Sequence, residues 1–169
     1  MYKAGDLILY GSTGICRITD ITKLDFGGKP EPYYVLKPLF QNETIYCTVA
    51  QTKIFIRSVI TADEANRLID NIPTIDAEAC VGKSVQELTS HYQAATQTFD
   101  CADLLELTLS IHAKKQLFAE QNRKFGQVDE RFMRRAEDML HEEFSVALGI
   151  PKSEVSKYIH KRLAIAPSM

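Results

Sequence analysis

The chain has 169 residues and a net charge of −2, and 25% of its residues are charged while 45% are hydrophobic. This composition is typical of a folded globular protein and argues against a disordered or membrane-spanning chain. The longest strongly apolar run near the start, Leu7 to Tyr10, is too short for a transmembrane helix or a secretory signal. We therefore expect a cytoplasmic protein without a membrane partner.

Residues 1–58 carry the periodicity of β-strands. In the run Thr44 to Val49, apolar residues such as Cys47 alternate with threonines and Tyr46, which predicts a half-buried strand. A break of this parity near Thr19-Asp20 predicts a β-bulge. Short runs joined by tight turns predict an SH3-like or Tudor-like small β-barrel. The other four runs are Asp6 to Tyr10, Ile15 to Ile21, Tyr33 to Lys37 and Ile54 to Arg57.

Residues 61–169 carry the periodicity of helices. Helix starts are predicted at Thr61 and Ser84, each followed three residues later by a glutamate in a capping box, and at Asp100. Gly149 is placed to end a long fourth helix. Helices with short connections predict a compact all-α bundle. The expected fold class is therefore two-domain, a small β-barrel followed by a C-terminal helical bundle.

Two of the predicted helices differ in the arrangement of their apolar residues. The third helix, after Asp100, is apolar nearly all round, which predicts a central position. The second helix has a single apolar stripe, formed by Val85, Leu88, Tyr92 and Ala95.

Residue types that carry catalysis or bind metals are present, but without the required spacing. No H-E-x-x-H pattern, no C-x-x-C pair and no glycine-rich phosphate-binding loop occurs in the sequence. Cys47 falls on the apolar face of its predicted strand, where burial raises the pKa of a thiol and makes it a poor nucleophile. We expect no catalytic residue, no metal site, no cofactor and no small-molecule substrate. The histidines are scattered over predicted helices, at His91, His112, His141 and His160.

Charge is unevenly distributed along the helical half. Residues 63–112 contain nine acidic and two basic side chains, whereas residues 113–135 contain seven basic and three acidic ones. A local excess of basic residues can mark a contact with nucleic acid, and a solvated helix face is the alternative. The basic residues of the second segment are Lys114, Lys115, Arg123, Lys124, Arg131, Arg134 and Arg135.

The segment from Phe144 to Leu163 reads as a helix, a glycine turn and a second helix. A plain helical hairpin that closes the bundle is the more common structure with this pattern. A DNA-reading helix-turn-helix is the alternative. It would place four polar residues in or beside a major groove, namely Ser153, Ser156, Lys157 and Lys161.

Stretches in both parts of the chain form a specific pattern in their order and spacing. They are Gly5-Asp-Leu-Ile-Leu-Tyr10, Gly14-Ile-Cys-Arg-Ile18, Tyr33-Tyr-Val-Leu-Lys37, Gly126 to Leu140 and Phe144 to Ile150. In this pattern the chain resembles the CarD/CdnL family of bacterial transcription regulators, from Tyr2 to about Leu163. The RNA-polymerase-interacting domain of that family is shared with the transcription-repair coupling factor, whose helicase motifs are missing here.

The resemblance implies a Tudor-like domain that binds the RNA polymerase β subunit. It also implies a helical domain that acts near promoter DNA and alters the stability of the open complex. An exposed strand edge can pair with a strand of a partner, and aromatic residues suit the centre of such an interface. The predicted DNA-binding residues are the basic residues of segment 113–135, through weak contacts to the phosphate backbone. The predicted polymerase-binding residues are Thr44, Ile45, Tyr46 and Thr48.

This chain departs from the family pattern in two respects. Family members often carry a basic residue and then a proline on the outward side of the edge strand, where this chain has Tyr46 and Thr48. The polymerase contact is therefore expected to be less electrostatic. Well-studied members also insert a tryptophan into the minor groove, whereas this chain contains no tryptophan. The corresponding region lies near Val85 to Leu88.

Two other functions are compatible with the sequence. A stand-alone DNA-binding repressor would use the C-terminal helical hairpin and bind an operator without polymerase. A general adaptor would use the β-barrel to capture a peptide unrelated to transcription.

Overall fold

The structure, a computed structural model, describes residues 1–165, so the last four residues of the predicted helical domain lie outside it. The chain divides into two compact units, one formed by Met1–Ile60 and one that begins at Thr61. Every strand lies in the first unit and every α-helix of the described residues lies in the second. The predicted fold class, a β domain followed by an all-helical domain, is confirmed.

Antiparallel strands form the first unit. They make a single sheet in the order β4-β3-β2-β1-β5. The hydrophobic core of this unit is formed by side chains of the sheet itself, including Ile8, Ile18 and Leu36, which are fully buried. The strands are β1 (Leu7–Tyr10), β2 (Gly14–Leu24), β3 (Glu31–Pro38), β4 (Ile45–Thr48) and β5 (Ile56–Ser58).

The long strand β2 carries the predicted bulge. Ile18 pairs with Leu36 and Asp20 pairs with Val35, so Thr19 is the extra residue on β2. An extra residue resets the alternation of side chains and bends the strand. Both Ile18 and Ile21 consequently pack on the core side, which strict alternation would forbid.

Within residues 1–60, all of which the structure describes, the sheet does not close into a barrel. β4 and β5 are its two outer strands, and each pairs with one neighbour only. The small β domain is as predicted, but the closure expected of a barrel is not observed. An outer strand presents backbone N–H and C=O groups that no strand of the sheet uses.

The second unit is built from α-helices that begin at the predicted caps. The Thr61 hydroxyl accepts from the Glu64 N–H at 3.1 Å, and the Ser84 hydroxyl accepts from the Glu87 N–H at 3.2 Å. Asp100 caps the third helix through its carboxylate, as predicted. The helices are α1 (Ala62–Asp70), α2 (Val85–Thr96), α3 (Cys101–Glu120), α4 (Gln127–Leu148) and α5 (Val155–Ile165).

The end of α4 follows the sequence prediction as well. Gly149 adopts a φ of 68°, the left-handed conformation in which glycine avoids a steric penalty, and it ends the helix. The stripe predicted on α2 is correct for Leu88 and Tyr92, which are buried. It is wrong for Val85, whose first-turn position leaves the residue 70% exposed.

A buried polar network ties α2, α3 and α4 together. One oxygen of Asp129 accepts from the Tyr92 hydroxyl at 2.6 Å and from the Lys114 ammonium at 2.9 Å. The side chains of Lys114 and Asp129 are only 7% and 3% exposed. Burial, together with the hydrogen bond to Asp129, raises the pKa of Tyr92 above its ordinary value. A carboxylate in this position is acceptable because a cation and a hydroxyl both satisfy it.

Hydrogen bonds between residues far apart in the chain connect α5 to α1. The Arg162 guanidinium donates two hydrogen bonds to the Asp70 carboxylate, at 2.7 and 2.8 Å. The Tyr158 hydroxyl donates to the side-chain oxygen of Asn66 at 2.7 Å. These bonds fix the position of the last helix within the second unit.

Candidate functional sites

The outer strand β4 directs alternate backbone groups away from the sheet. The Val49 N–H donates to the Pro32 carbonyl of β3 at 3.1 Å. In an antiparallel pair, inward-bonded and outward-facing residues alternate. The residues that bond to β3 are therefore Cys47 and Ile45 along with Val49, and the backbone groups of Tyr46 and Thr48 face outward.

One of these outward groups is already used. The Thr48 carbonyl accepts from the Gln51 N–H at 3.1 Å, in the turn that follows the strand. The N–H and C=O of Tyr46 and the N–H of Thr48 face away from every strand of the described sheet. These groups allow another strand to pair with β4. A partner residue opposite Tyr46 could donate its N–H to the Tyr46 carbonyl and accept from the Tyr46 N–H.

The side chain of Tyr46 lies on the solvent face beside this edge and is 53% exposed. It does not stand alone. The ring of Phe26, from the turn between β2 and β3, meets the ring of Tyr46 edge to face, with 6.2 Å between centroids. The same Phe26 ring meets that of Tyr33 at 5.3 Å. We call Phe26, Tyr33 and Tyr46 the aromatic cluster.

The predicted polymerase-binding residues occupy different positions relative to the edge. Thr44 is exposed and lies just before β4. The backbone N–H and C=O groups of Tyr46 and Thr48 face away from β3. Ile45 is half-buried and packs against the core of the sheet, so its side chain faces away from the solvent side. Phe26 was not predicted, because nothing in the local sequence of its turn indicates a contact with β4.

Two cysteine thiols and one tyrosine hydroxyl in the core of the sheet have raised pKa values, which favour their neutral forms. Burial raises the pKa of Cys16 to about 11 and also raises the pKa of Cys47, as the alternation of the strand predicts. Burial and a hydrogen bond to Cys47 raise the pKa of Tyr10 to about 12. No side chain from Thr44 to Val49 is charged. The chemistry that this site offers is therefore backbone pairing and apolar contact.

Most of the predicted DNA-binding residues meet at one end of the second unit. α3 and α4 run antiparallel, since His112 contacts Glu137 and Cys101 contacts Glu143 across the pair. The end of α3, the connecting loop and the start of α4 are consequently neighbours. Six exposed basic residues lie there, and we call them the basic cluster: Lys115, Arg123, Lys124, Arg131, Arg134 and Arg135.

Aromatic rings hold several of these basic side chains in place. The Arg123 guanidinium lies 4.1 Å from the centre of the Phe118 ring, and the Arg131 guanidinium lies 5.1 Å from that of Phe132. Cations over aromatic faces gain electrostatic attraction while their donors remain available to a ligand. Arginine presents a planar set of donors that suits phosphate oxygens. The arrangement can hold a polyanion.

The DNA-binding prediction is wrong for Lys114. Its ammonium is buried against Asp129 and lies 5.4 Å from the centre of the Phe118 ring, so it cannot reach a phosphate without breaking the network described above. Lys114 and Lys115 belong to the same basic segment of the sequence, but Lys114 lies on the buried side of α3 and Lys115 on the exposed side.

The C-terminal hairpin places its predicted polar residues on the surface. Lys157 and Lys161 of α5 are exposed, and Lys157 lies 4.0 Å from Glu154. Ser153 and Ser156 are exposed as well. The helix-turn-helix hypothesis thus stays a prediction, with no added observation in its favour.

Residues 1–165 contain neither a cluster of metal ligands nor a helix that could span a membrane. No three histidine, cysteine, aspartate or glutamate side chains in this range lie close enough together to hold a metal ion. None of the described helices is long and apolar enough to cross a membrane.

Taken together, the sheet order and the unused backbone groups define the first unit as a small β module with an open strand edge. Residues 2–60 match the family model of the CarD-like/TRCF RID domain. The first unit therefore belongs to the CarD-like family of RNA-polymerase-interacting domains, which confirms the resemblance for residues 2–60. A role in transcription through contact with RNA polymerase follows from that membership. The resemblance of the helical half, beyond residue 60, stays a prediction. No curated protein matches the chain significantly.

Proposed function

We propose that this protein is a transcription regulator without catalytic activity. It binds the RNA polymerase β subunit through the edge of β4, and its helical domain modulates the stability of the promoter open complex. The observation that carries the proposal is the set of outward backbone groups at Tyr46 and Thr48, within a domain of the polymerase-interacting family.

Strand addition explains how so short an edge can bind. Backbone hydrogen bonds to Tyr46 and Thr48 would set the register of the β-subunit strand, and side chains on alternate positions would supply specificity. Tyr46 sits at the centre of this edge with half of its surface exposed. Exposed tyrosines that become buried are frequent energetic centres of interfaces.

The basic cluster supports the second half of the proposal. Its arginines and lysines are exposed at the end of the α3–α4 pair, where a phosphate backbone could approach without obstruction from the buried network. Contacts of this kind position a protein on DNA but do not read its sequence. The helical domain would thus act at whichever promoter the polymerase already occupies.

Binding of the full chain to isolated lobes of the β subunit tests the first contact. Tyr46→Asp places an unpaired charge at the edge, and we expect the dissociation constant to rise by about 30-fold, or about 2 kcal/mol. Thr52→Asp is the matched control, because it adds the same charge to an exposed residue outside the strands. If the folded wild-type chain does not bind the lobes, the proposal is wrong.

The salt dependence of binding to duplex DNA tests the second contact. Arg131→Gln with Arg135→Gln should lower the slope of log affinity against log salt by about 2, since each lost phosphate contact removes about 0.9. The comparison pair is Lys157→Gln with Lys161→Gln, on the C-terminal hairpin. A slope that changes only in the comparison pair would favour the hairpin and its repressor function instead.

A further inference from the structure

Phe26 is a large apolar side chain that the fold leaves in water. It lies in the turn between β2 and β3 and is 69% exposed. Its ring nevertheless has a defined place, since it meets Tyr33 at an interplanar angle of 83° and Tyr46 at 70°. Such edge-to-face contacts are the preferred geometry of aromatic pairs and restrict how the rings can turn. An ordered, exposed apolar group beside an open strand edge is typical of an interaction surface.

The sheet geometry determines which partner atoms would meet this cluster. Tyr46 and Tyr33 share the solvent face, because Tyr46 pairs with Val35 and Tyr33 pairs with Thr48. In an antiparallel pair, residues directly opposite each other point to the same face. A partner residue opposite Tyr46 would therefore project its side chain onto this face, beside the Tyr46 ring that Phe26 braces.

The chemistry of that partner side chain follows from what surrounds it. Aromatic faces accept either an aliphatic group or a cation. No side chain between Thr44 and Val49 is charged, and the carboxylates nearest in sequence, Asp25, Glu31 and Glu43, are all exposed. Solvent and salt screen exposed charges, so these carboxylates would orient a cation only weakly. Aliphatic contact requires only the ring surfaces that are already exposed.

We propose that Phe26 and Tyr46 together receive an uncharged aliphatic side chain from the strand that RNA polymerase adds to β4, and that Phe26 determines specificity for it. This inference rests on the proposed function and deepens it. Phe26 acts in two ways: it contacts the incoming side chain, and it keeps the Tyr46 ring beside the edge. The contact depends little on ionic strength, since neither member is charged.

The test uses the full chain and an isolated β-subunit lobe labelled at its methyl groups. Phe26→Ser should weaken binding by about tenfold, as expected for loss of an aromatic anchor, whereas Phe26→Leu should stay within about threefold of wild type. Val85→Ser is the matched control, because Val85 is as exposed as Phe26 but lies on α2. In the wild-type complex a methyl signal of the lobe should move upfield, through the ring currents of the cluster, and Phe26→Ser should reduce that shift because the Phe26 ring no longer contributes.

The possible outcomes separate the two proposals. Wild-type binding with Phe26→Ser unchanged overturns this inference and leaves the proposed function in place. Binding that collapses as salt rises, without an upfield methyl shift, indicates a cationic partner residue and also overturns it. Absence of wild-type binding overturns the proposed function and this inference with it.

Discussion

Asp129→Asn removes the charge that balances Lys114 inside the helical domain. The asparagine can still accept from the Tyr92 hydroxyl, so the main change is an ammonium left buried without a counter-charge. Breaking one side of a buried ion pair costs about 3–5 kcal/mol. For a domain of this size, that loss corresponds to a fall of about 10–20 °C in the melting temperature.

A double variant separates the pairing from the packing. Lys114→Met keeps an unbranched side chain in the same space and leaves Asp129 unpaired, so it should cost a similar amount. The combination of Lys114→Met and Asp129→Asn leaves no charge in this network, and we expect it to be more stable than either single variant. The coupling between the two sites should then exceed the cost of one single variant, so it should be about 3 kcal/mol or more.

Thermal and urea unfolding followed by far-ultraviolet circular dichroism report on the helices directly. Glu130→Gln is the control, because it breaks the exposed contact with Arg134, 3.5 Å long, one residue further along the same helix. An exposed pair of this kind contributes less than about 0.5 kcal/mol. If Asp129→Asn costs no more than Glu130→Gln, the network does not stabilise the domain and the reasoning is wrong.

Two further predictions concern ionisation. The Arg162 hydrogen bonds hold the pKa of Asp70 below its usual value, so their contribution to stability is present at neutral pH and is lost as the pH falls below about 4, the range of an unperturbed aspartate. Urea midpoints of Asp70→Asn should therefore fall less steeply than those of wild type between neutral and acidic pH, and parallel profiles would contradict this. The pKa of Cys16 is raised to about 11, so iodoacetamide at mildly alkaline pH should modify half-buried Cys80 first and reach Cys16 only in urea. Peptide mapping of the native protein distinguishes the two thiols, and equal rates would refute the assignment.

Features that depend on neighbours in sequence could be predicted. Thr61 and Ser84 cap their helices, because a hydroxyl three residues before a glutamate satisfies backbone groups close to it in the chain. Gly149 ends α4 for an equally local reason, its tolerance of positive φ. The bulge at Thr19 appears in the sequence as a break in the alternation of apolar residues, because the apolar residues of a half-buried strand must all face the core.

Features that depend on distant partners could not be predicted. Lys114 and Lys115 are neighbours in one basic run, and only the packing of α3 against α4 decides that the first meets Asp129 while the second stays in solvent. Phe26 belongs to a polar turn, and its contact with Tyr46 exists only once the strands have paired. Barrel closure was expected from the number and length of the strands, yet these quantities do not determine whether the two outer strands meet.

The brevity of β4 bears on how the protein stays in solution. An open strand edge is a template for another copy of the same chain, and long, flat edges of this kind promote aggregation. Here the strand spans Ile45–Thr48, its last outward carbonyl is occupied by Gln51, and exposed Glu43 precedes it with a negative charge. A second copy would gain few hydrogen bonds and would bring two carboxylates near the interface. The edge can therefore remain open for a partner that adds side-chain contacts of its own, without recruiting further copies of this chain into a growing sheet.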